Sequence, residues 1–273
     1  RLSLVGSEMC IRDSCMGSYG VALLGHSHPK VVEAICKQAE TLISCHASLY
    51  NNKRTEFLQK LVSITPKGLN KTFLSNSGAE SVECALKLAR KYTGKPEIIA
   101  VMGGYHGKTM GALSATWDKK YREPFQPLVP DFKHVPPDNL EKLAEAIADK
   151  TAAVLLEPIR GEGGVRVPPD DFLPGVRELC DEKGVLLILD EVQTSFGRTG
   201  KLFGCEHWGV TPDVMCLAKP FAGGLPIGIT IAKEHVMAAF KTGEHSSTFS
   251  GSPLVCAAAS AAIDVLSLIH ISE

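Results

Sequence analysis

Residues 185–193 read Val-Leu-Leu-Ile-Leu-Asp-Glu-Val-Gln and decide the fold class. The apolar run Val185–Leu189 is far too short to cross a membrane and is typical of a strand buried on both faces. Asp190 ends that run, and a carboxylate there needs a cation or a strong hydrogen-bond donor. A simple N-cap at the exit of the strand is the alternative interpretation of Asp190. The stretch therefore predicts a central strand of a parallel sheet with a polar group at its carboxyl end.

The same pattern of apolar strands and amphipathic helices extends along the chain on both sides. We predict further strands at 72–74, 98–102, 152–157 and 214–218, and helices at 29–42, after Gly78, near 138–149 and at 171–183. This alternation predicts an α/β fold with a mostly parallel sheet covered by helices on both faces. Ligands bind such sheets at the carboxyl ends of the strands.

Two of the segments that follow strands suggest chemistry. Ser77, Gly78 and Ala79 open a helix, whose free amide groups and positive dipole end can bind a phosphate. A simple turn of the chain is the alternative. Lys219 follows an apolar strand and precedes Pro-Phe-Ala-Gly-Gly, a setting that favours a lowered pKa and Schiff-base chemistry. A lysine that extends from a strand end into solvent is the alternative.

Together these residue types match the requirements of one cofactor, pyridoxal 5'-phosphate. It needs a lysine for covalent attachment, a carboxylate for the ring nitrogen, a phosphate site and a flat neighbour for the ring. Lys219, Asp190, the Ser77–Ala79 turn and Tyr105 could supply these four groups.

The composition excludes other classes of function. The chain has 273 residues, with 29 lysines and arginines against 30 carboxylates, so no broad charge attracts nucleic acid or a membrane surface. The nine cysteines are scattered, which indicates a reducing, cytoplasmic compartment. The His26–His28 pair has no accompanying carboxylate or cysteine cluster, so we interpret it as a turn before a helix and expect no metal.

Several longer stretches carry a family resemblance. They are NSGAE (76–80), YHGKTMGALSAT (105–116), LEPIRGEGGV (156–165), LILDEVQTSFGRTGKLFGCEHWGVTPD (187–213), CLAKPFAGGLPIG (216–228) and STFSGSPL (247–254). In this order they resemble the class III (ω-amino) aminotransferases of fold type I, and the similarity runs from Met16 to Val265. The sequence is most similar to members that act on acetylornithine, on lysine-biosynthesis intermediates or on putrescine.

The resemblance implies the large domain of a fold type I pyridoxal-phosphate enzyme, with a seven-stranded sheet, and assigns roles around the cofactor. Lys219 would attach the cofactor and then move a proton, while Asp190 would pair with the ring nitrogen. The other implied cofactor contacts are Ser77, Gly78 and Ala79 at the phosphate, Tyr105 and Val192 on the two ring faces, Gln193 at the ring hydroxyl, and His106 close by. Thr248 would reach the phosphate of the neighbouring subunit, which implies a homodimer with shared active sites.

The resemblance also implies the reaction and its substrates. An ω-amino group would pass to 2-oxoglutarate, giving an aldehyde and glutamate. Ser247 and Lys108 would face the substrate, and Glu162 would gate between the two amino-group partners. A glutamate-1-semialdehyde-type aminomutase and a non-catalytic fragment are the alternatives.

Four departures from the usual pattern of the family stand out, and in one of them Ser250 and Ser252 replace the more usual glycine and asparagine. Lys108 stands where acetylornithine-type members carry an arginine, and it lacks the two-pronged geometry of that group. Arg160 replaces the usual glutamine. Pro220 follows Lys219 directly and biases the backbone of that lysine toward an extended conformation.

The two ends of the chain predict an incomplete protein. Residues 1–14 and the final LSLIHISE, from Leu266, resemble translated sequencing-adapter DNA. We therefore divide the chain into a non-native segment (1–14), an N-terminal segment (15–50), a large cofactor domain (51–252), the start of an interdomain helix (253–266) and a non-native tail (267–273). The small C-terminal domain would be missing, and we expect such a fragment to be impaired as a catalyst.

Overall fold

A seven-stranded sheet lies at the centre of the computed structural model, which describes residues 17–271, with side chains up to residue 267. The predicted segment 1–14 and residues 272–273 lie outside the described residues. The strands are β1 (Leu69–Ser75), β2 (Glu97–Val101), β3 (Phe132–Val135), β4 (Thr151–Leu156), β5 (Leu186–Asp190), β6 (Val214–Leu217) and β7 (Gly228–Lys233). Their order in the sheet is β1-β7-β6-β5-β4-β2-β3.

The sheet is mostly parallel, as the sequence predicted. Neighbouring strands from β3 through β2, β4 and β5 to β6 all run parallel. Strand β7 is inserted between β1 and β6 and is antiparallel to both. Because β2, β4, β5 and β6 point the same way, their carboxyl ends meet at one edge of the sheet.

Helices cover both faces of the sheet. They are α1 (Pro29–Ala39), α2 (Asn52–Ile64), α3 (Gly78–Thr93), α4 (Met110–Ala115), α5 (Lys119–Arg122), α6 (Leu140–Ala146), α7 (Phe172–Lys183), α8 (Glu234–Met237) and α9 (Pro253–Ile271). Short 3-10 turns lie at Glu123–Phe125, Gly204–Trp208 and Lys219–Ala222. None of the helices within the described residues is long and apolar enough to span a membrane.

Strand β5 shows why the central apolar run is uninterrupted. Leu187 and Leu189 enter the core on one face of the sheet, and Leu186 and Ile188 enter the core on the other. All four side chains are buried. A strand with two buried faces has no solvent-facing positions, and it therefore lacks the alternation that marks a half-exposed strand.

The predicted start of α3, at Ser77–Ala79, is confirmed. The Ser77 side chain caps the helix by accepting a hydrogen bond from the backbone N–H of Glu80 at 3.2 Å. The helix ends at Gly94, whose φ of 70° is the left-handed conformation that favours glycine at this position. Helix α1 begins at Pro29, as predicted, but ends at Ala39, before the predicted end at 42.

Gly228 allows strand β7 to approach the turn that leads into α3. A Cβ atom on Gly228 would lie 2.1 Å from the carbonyl oxygen of Ser77 and 2.3 Å from Oγ of Ser75. We expect Gly228→Ala to lower the free energy of unfolding by about 1–3 kcal/mol, because backbone atoms cannot yield as a side chain can. Urea unfolding would measure the loss.

Gly175→Ala is the matched control for this prediction. Its Cβ would lie 2.4 Å from Cδ1 of Leu140, the far end of a flexible side chain that can rotate away. We expect a smaller loss there, offset in part by the higher helix propensity of alanine. Equal losses for the two variants would contradict the explanation.

Candidate active site

A cavity of about 500 Å³ lies at the edge of the sheet where the carboxyl ends of the parallel strands meet. The structure brings most of the predicted site residues to its wall. They are Ser77, Gly78, Ala79, Tyr105, His106, Lys108, Glu162, Asp190, Val192, Gln193 and Lys219. The predicted residues that share this cavity lie up to 142 positions apart in sequence, from Ser77 to Lys219.

Asp190 is the last residue of β5 and projects a buried carboxylate into the cavity. Its Oδ2 atom lies 2.8 Å from Nδ1 of His106, and its Oδ1 atom accepts a hydrogen bond from the backbone N–H of Val192 at 3.1 Å. These contacts replace the water that the carboxylate loses on burial. They leave the carboxylate held in place on the cavity wall.

His106 is buried and held on both its backbone and its ring. The backbone N–H of His106 donates to Oγ1 of Thr116 at 2.9 Å, and the ring Nδ1 atom contacts Asp190. Burial by itself would lower the pKa of His106, but the hydrogen bond to Asp190 and the nearby charges of Asp190 and Glu157 raise it above its ordinary value. The contact with Asp190 therefore favours the protonated, positively charged form of the His106 ring.

Lys219 begins the short turn after β6, and its half-buried amine lines the cavity. Burial lowers the pKa of Lys219, and the negative charges of Asp190, Glu162 and Glu157 oppose that change. Its Nζ atom donates a hydrogen bond to Oε1 of Gln193. The Lys219 side chain is therefore directed toward the loop that follows Asp190.

The expected extended backbone at Lys219 is wrong. Its φ is 40°, in the left-handed region, where residues other than glycine are strained. The steric effect of Pro220 favours extended structure, but the turn that leads from β6 into residues 219–222 requires the opposite sign of φ. Such strain persists only where surrounding structure holds it, and it is concentrated at functional sites.

The first turn of α3 forms another wall of the cavity. Its residues Ser77, Gly78 and Ala79 come at the start of a 16-residue helix, where free N–H groups and the positive dipole end favour an anion. A Cβ on Gly78 would lie 2.9 Å from Cγ1 of Val192, so only glycine allows this close approach. The geometry suits a phosphate group.

Tyr105 and Lys108 line the cavity from the loop after β2, and both contact Tyr121. The Tyr105 ring packs edge-on against Tyr121, with 5.7 Å between ring centroids. The Lys108 Nζ atom lies 4.9 Å from the centre of the Tyr121 ring, a cation–π distance. Tyr121 therefore helps to orient both predicted residues, which sequence inspection did not reveal.

Ser247 and Thr248 are not among the residues that line the cavity. Ser247 is linked to it indirectly, because the Asn76 side chain lines the cavity and donates to Oγ of Ser247 at 3.0 Å. Thr248 is exposed. Their implied roles as substrate and phosphate contacts stay predictions.

Glu157 is a site residue to which the sequence reasoning assigned no role. It follows β4 directly, is 6% exposed and lines the cavity. Its two carboxylate oxygens accept hydrogen bonds from the backbone N–H groups of Tyr105, at 2.9 Å, and Gly161, at 3.0 Å. Its place at the end of an apolar strand, like that of Asp190, was the available signal.

Burial raises the pKa of Glu157 to about 7, aided by the charge of Asp190 and opposed by His106 and the two backbone N–H groups. A raised carboxyl pKa means that the folded protein keeps a proton that the unfolded chain has lost. This stabilisation is complete below pH 4.5, the ordinary pKa, and is lost as pH rises through about 7. The full loss is about 3 kcal/mol.

We expect Glu157→Gln to remove this part of the pH dependence. Urea unfolding at intervals from pH 4.5 to 8 would compare the slope of stability against pH in the variant and the parent chain. Glu182→Gln, at an exposed carboxylate, serves as the control and should keep the parent slope. A Glu157→Gln slope equal to that of the parent would disprove the assignment of this titration.

The fold and the cavity together define a class of protein. A mostly parallel sheet carries, at one edge, a strained lysine, a buried carboxylate and the open end of a helix around one cavity. The chain belongs to the class-III aminotransferase family, whose sequence profile matches residues 12–271.

Individual relatives agree with this family. The chain is 56% identical over 246 residues to an acetylornithine aminotransferase from Methanopyrus kandleri. The aligned region covers 90% of this chain and 63% of the relative. This chain is 48% identical over 257 residues to the enzyme of the same name from Methanocaldococcus jannaschii, covering 92% and 64%. The chain thus spans less than two thirds of the length of these curated relatives.

Solved structures have the same fold. The ornithine aminotransferase from Toxoplasma gondii superposes with a TM-score of 0.90 at 36% identity, covering 94% of this chain and 63% of that one. An amine transaminase from an uncultivated Pseudomonas species, solved in its pyridoxal-phosphate-bound form, superposes with a TM-score of 0.89 at 30% identity, covering 94% and 66%.

Proposed function

We propose that the protein to which this chain belongs is a pyridoxal 5'-phosphate-dependent transaminase. The observation that carries this proposal is that Lys219, Asp190 and the first turn of α3 line a single cavity. Each matches one functional group of the cofactor: the lysine amine suits its aldehyde, the carboxylate suits its ring nitrogen and the free backbone amides suit its phosphate. Bound there, the cofactor would supply a ring that accepts electrons from the substrate carbon.

The residues that line the cavity would each have a separate role toward the cofactor. Lys219 would attach the cofactor through Nζ and, once displaced by substrate, move a proton at the reacting carbon. The lowered pKa of this lysine makes its neutral, nucleophilic form more accessible. Asp190, braced by His106, would hold a proton on the ring nitrogen. Gly78 and Ala79 would bind the phosphate through their backbone, and Val192 and Tyr105 would enclose the ring.

The donor we propose is an ω-amino group on a chain that also bears a carboxylate, with 2-oxoglutarate as acceptor. Two relatives named acetylornithine aminotransferase, at 56% and 48% identity, support this class of donor. The Lys108 ammonium would attract the carboxylate of the donor as a point charge, and Glu162 and Ser247 would lie near the substrate.

We further propose a homodimer in the cytoplasm, with Thr248 of one subunit reaching the phosphate in the other. The exposure of Thr248, which is not among the residues that line the cavity, supports an intermolecular role over an intramolecular one. Sedimentation of the chain with and without pyridoxal phosphate tests the dimer.

Reductive trapping tests the cofactor proposal. The chain is mixed with pyridoxal phosphate, reduced with borohydride and digested, and the labelled peptide is identified by mass spectrometry. We expect one label, on Lys219. A second arm adds N-acetylornithine, with and without 2-oxoglutarate, and measures glutamate. Labelling spread over exposed lysines would contradict cofactor binding, and loss of the aldehyde of glutamate-1-semialdehyde, added alone without an oxo acid, would indicate a mutase.

A further inference from the structure

Arg160 and Asp138 form a two-pronged ion pair outside the cavity. The Nη1 and Nη2 atoms of Arg160 donate to Oδ1 and Oδ2 of Asp138 at 3.0 and 2.9 Å. The Arg160 side chain is only 10% exposed and that of Asp138 is 28% exposed. Parallel hydrogen bonds of this kind fix orientation as well as distance. A single point charge at either position could not reproduce that constraint.

The pair joins the loops that follow β3 and β4, and the Arg160 side chain also approaches the loop that follows β2. Asp138 lies in the connection after β3, at a φ of 56° that is unfavourable for a residue other than glycine. Arg160 lies in the loop after β4, where its backbone pairs with that of Arg166 at 3.1 and 3.0 Å. Its side chain passes over Gly103, in the loop after β2, where a Cβ would lie 3.7 Å from Cδ of Arg160.

The same loop contacts the loop after β2 a second time. A Cβ on Gly163 would lie 2.5 Å from the carbonyl oxygen of Gly103, so the two backbones are in direct contact. Glu162 lies between Arg160 and Gly163 in sequence. It lines the main cavity and also a neighbouring cavity of about 360 Å³, which it shares with Tyr105. Contacts on both sides of Glu162 thus hold the backbone from which its exposed side chain reaches the cavity.

We propose that Arg160 is a positioning residue that sets the location of Glu162 at the cavity through its ion pair with Asp138. The inference rests on the proposed function, since it assigns Glu162 to the substrate side of that site. Arg160 does not itself line either cavity within the described part of the chain, so it acts through the loop. The proposed cofactor contacts at Asp190 and Lys219 lie at the ends of β5 and β6, which are not the strands whose loops the pair joins.

The test compares four variants of the full chain loaded with pyridoxal phosphate. Arg160→Gln and Asp138→Asn break the pair, Arg160→Lys keeps the charge without the fork, and the exchange Arg160→Asp with Asp138→Arg reverses it. Lys142→Gln, which breaks the exposed pair with Glu145 at 2.7 Å, is the control. Titration with N-acetylornithine, followed by the absorbance of the bound cofactor, gives donor affinity, and dialysis gives cofactor affinity.

We expect Arg160→Gln and Asp138→Asn to weaken donor binding about tenfold while cofactor affinity stays within about twofold. Arg160→Lys should lie between them and the parent, and the exchanged pair should recover most of the loss. Unchanged donor affinity in Arg160→Gln, or an equal loss of donor and cofactor affinity, would overturn the proposal. The second result would indicate a general structural role.

Hydrogen exchange of the unloaded chain keeps this test separate from the cofactor proposal. We expect Arg160→Gln to raise exchange in the peptides that cover 102–105 and 157–166 and to leave β5 unchanged. Failure of pyridoxal phosphate to bind the parent chain would refute the proposed function. Unchanged exchange around Glu162 would refute the positioning role, whether or not the cofactor binds.

Discussion

We expect Lys219→Ala to abolish covalent attachment of pyridoxal phosphate and, with it, the proposed transamination. No other side-chain amine is positioned beside Asp190 in the described cavity, and the neighbouring Lys108 is held over Tyr121. Loss of proton transfer alone lowers the rate about 10²–10⁴-fold, and loss of attachment adds to that. Borohydride trapping and a coupled glutamate assay would measure the two effects separately.

Two further variants sharpen this prediction. Lys201→Ala removes an exposed lysine and should behave as the parent chain. Lys219→Gly also removes the amine, but it relieves the left-handed strain at φ 40°, which is about 1–2 kcal/mol, against a backbone-entropy loss of about 0.5–1 kcal/mol. We therefore expect Lys219→Gly to be slightly more stable than Lys219→Ala and equally inactive. A lysine-linked label that persists in Lys219→Ala would disprove the assignment.

Asp190→Asn has the second-largest expected effect. The amide keeps the shape of the carboxylate but carries no charge to hold a proton on the ring nitrogen of the cofactor. Removing one such preorganised electrostatic contact lowers rates about 10²–10³-fold. We expect transamination to fall by this amount, with a smaller loss of cofactor affinity, as measured by single-turnover absorbance.

His106 provides a readout of Asp190 that does not depend on activity. The pKa of His106 is raised above its ordinary value because the contact with Asp190 outweighs burial. We expect Asp190→Asn to lower it, since burial then acts with less opposition, and NMR titration of the ring would show the change. Asp264→Asn, at an exposed ion pair with Lys60, is the control. A His106 pKa that does not move in Asp190→Asn would contradict the pairing.

Much of the fold could be predicted because its signals are local. The apolar run at 185–189 predicts a doubly buried strand, and Ser77 and Gly94 mark the ends of α3 within a few residues. Strand β7 was not predicted as a strand. It follows a glycine-rich stretch that reads as a turn, and its antiparallel insertion between β1 and β6 depends on partners far along the chain.

The site residues also divide into those that local sequence predicts and those that depend on distant partners. Asp190, Lys219 and the Ser77–Ala79 turn were identified because parallel strands bring their carboxyl ends to one edge, so residues after strands meet. Glu157 also follows a strand, but the sequence could not show that it links the loops after β2 and β4. One of its hydrogen-bond partners, the backbone N–H of Tyr105, is 52 positions away.

By itself, the sequence determined the α/β class, the main strands and helices, the family resemblance and the residues offered to a cofactor. These follow from hydrophobic period, from capping residues and from motifs that can be read over a few positions. Only the tertiary structure decided that His106 braces Asp190 across 84 positions and that Arg160 pairs with Asp138 across 22. It also set the sign of φ at Lys219. Distance, burial and backbone strain arise when separate segments pack together, and no local pattern encodes them.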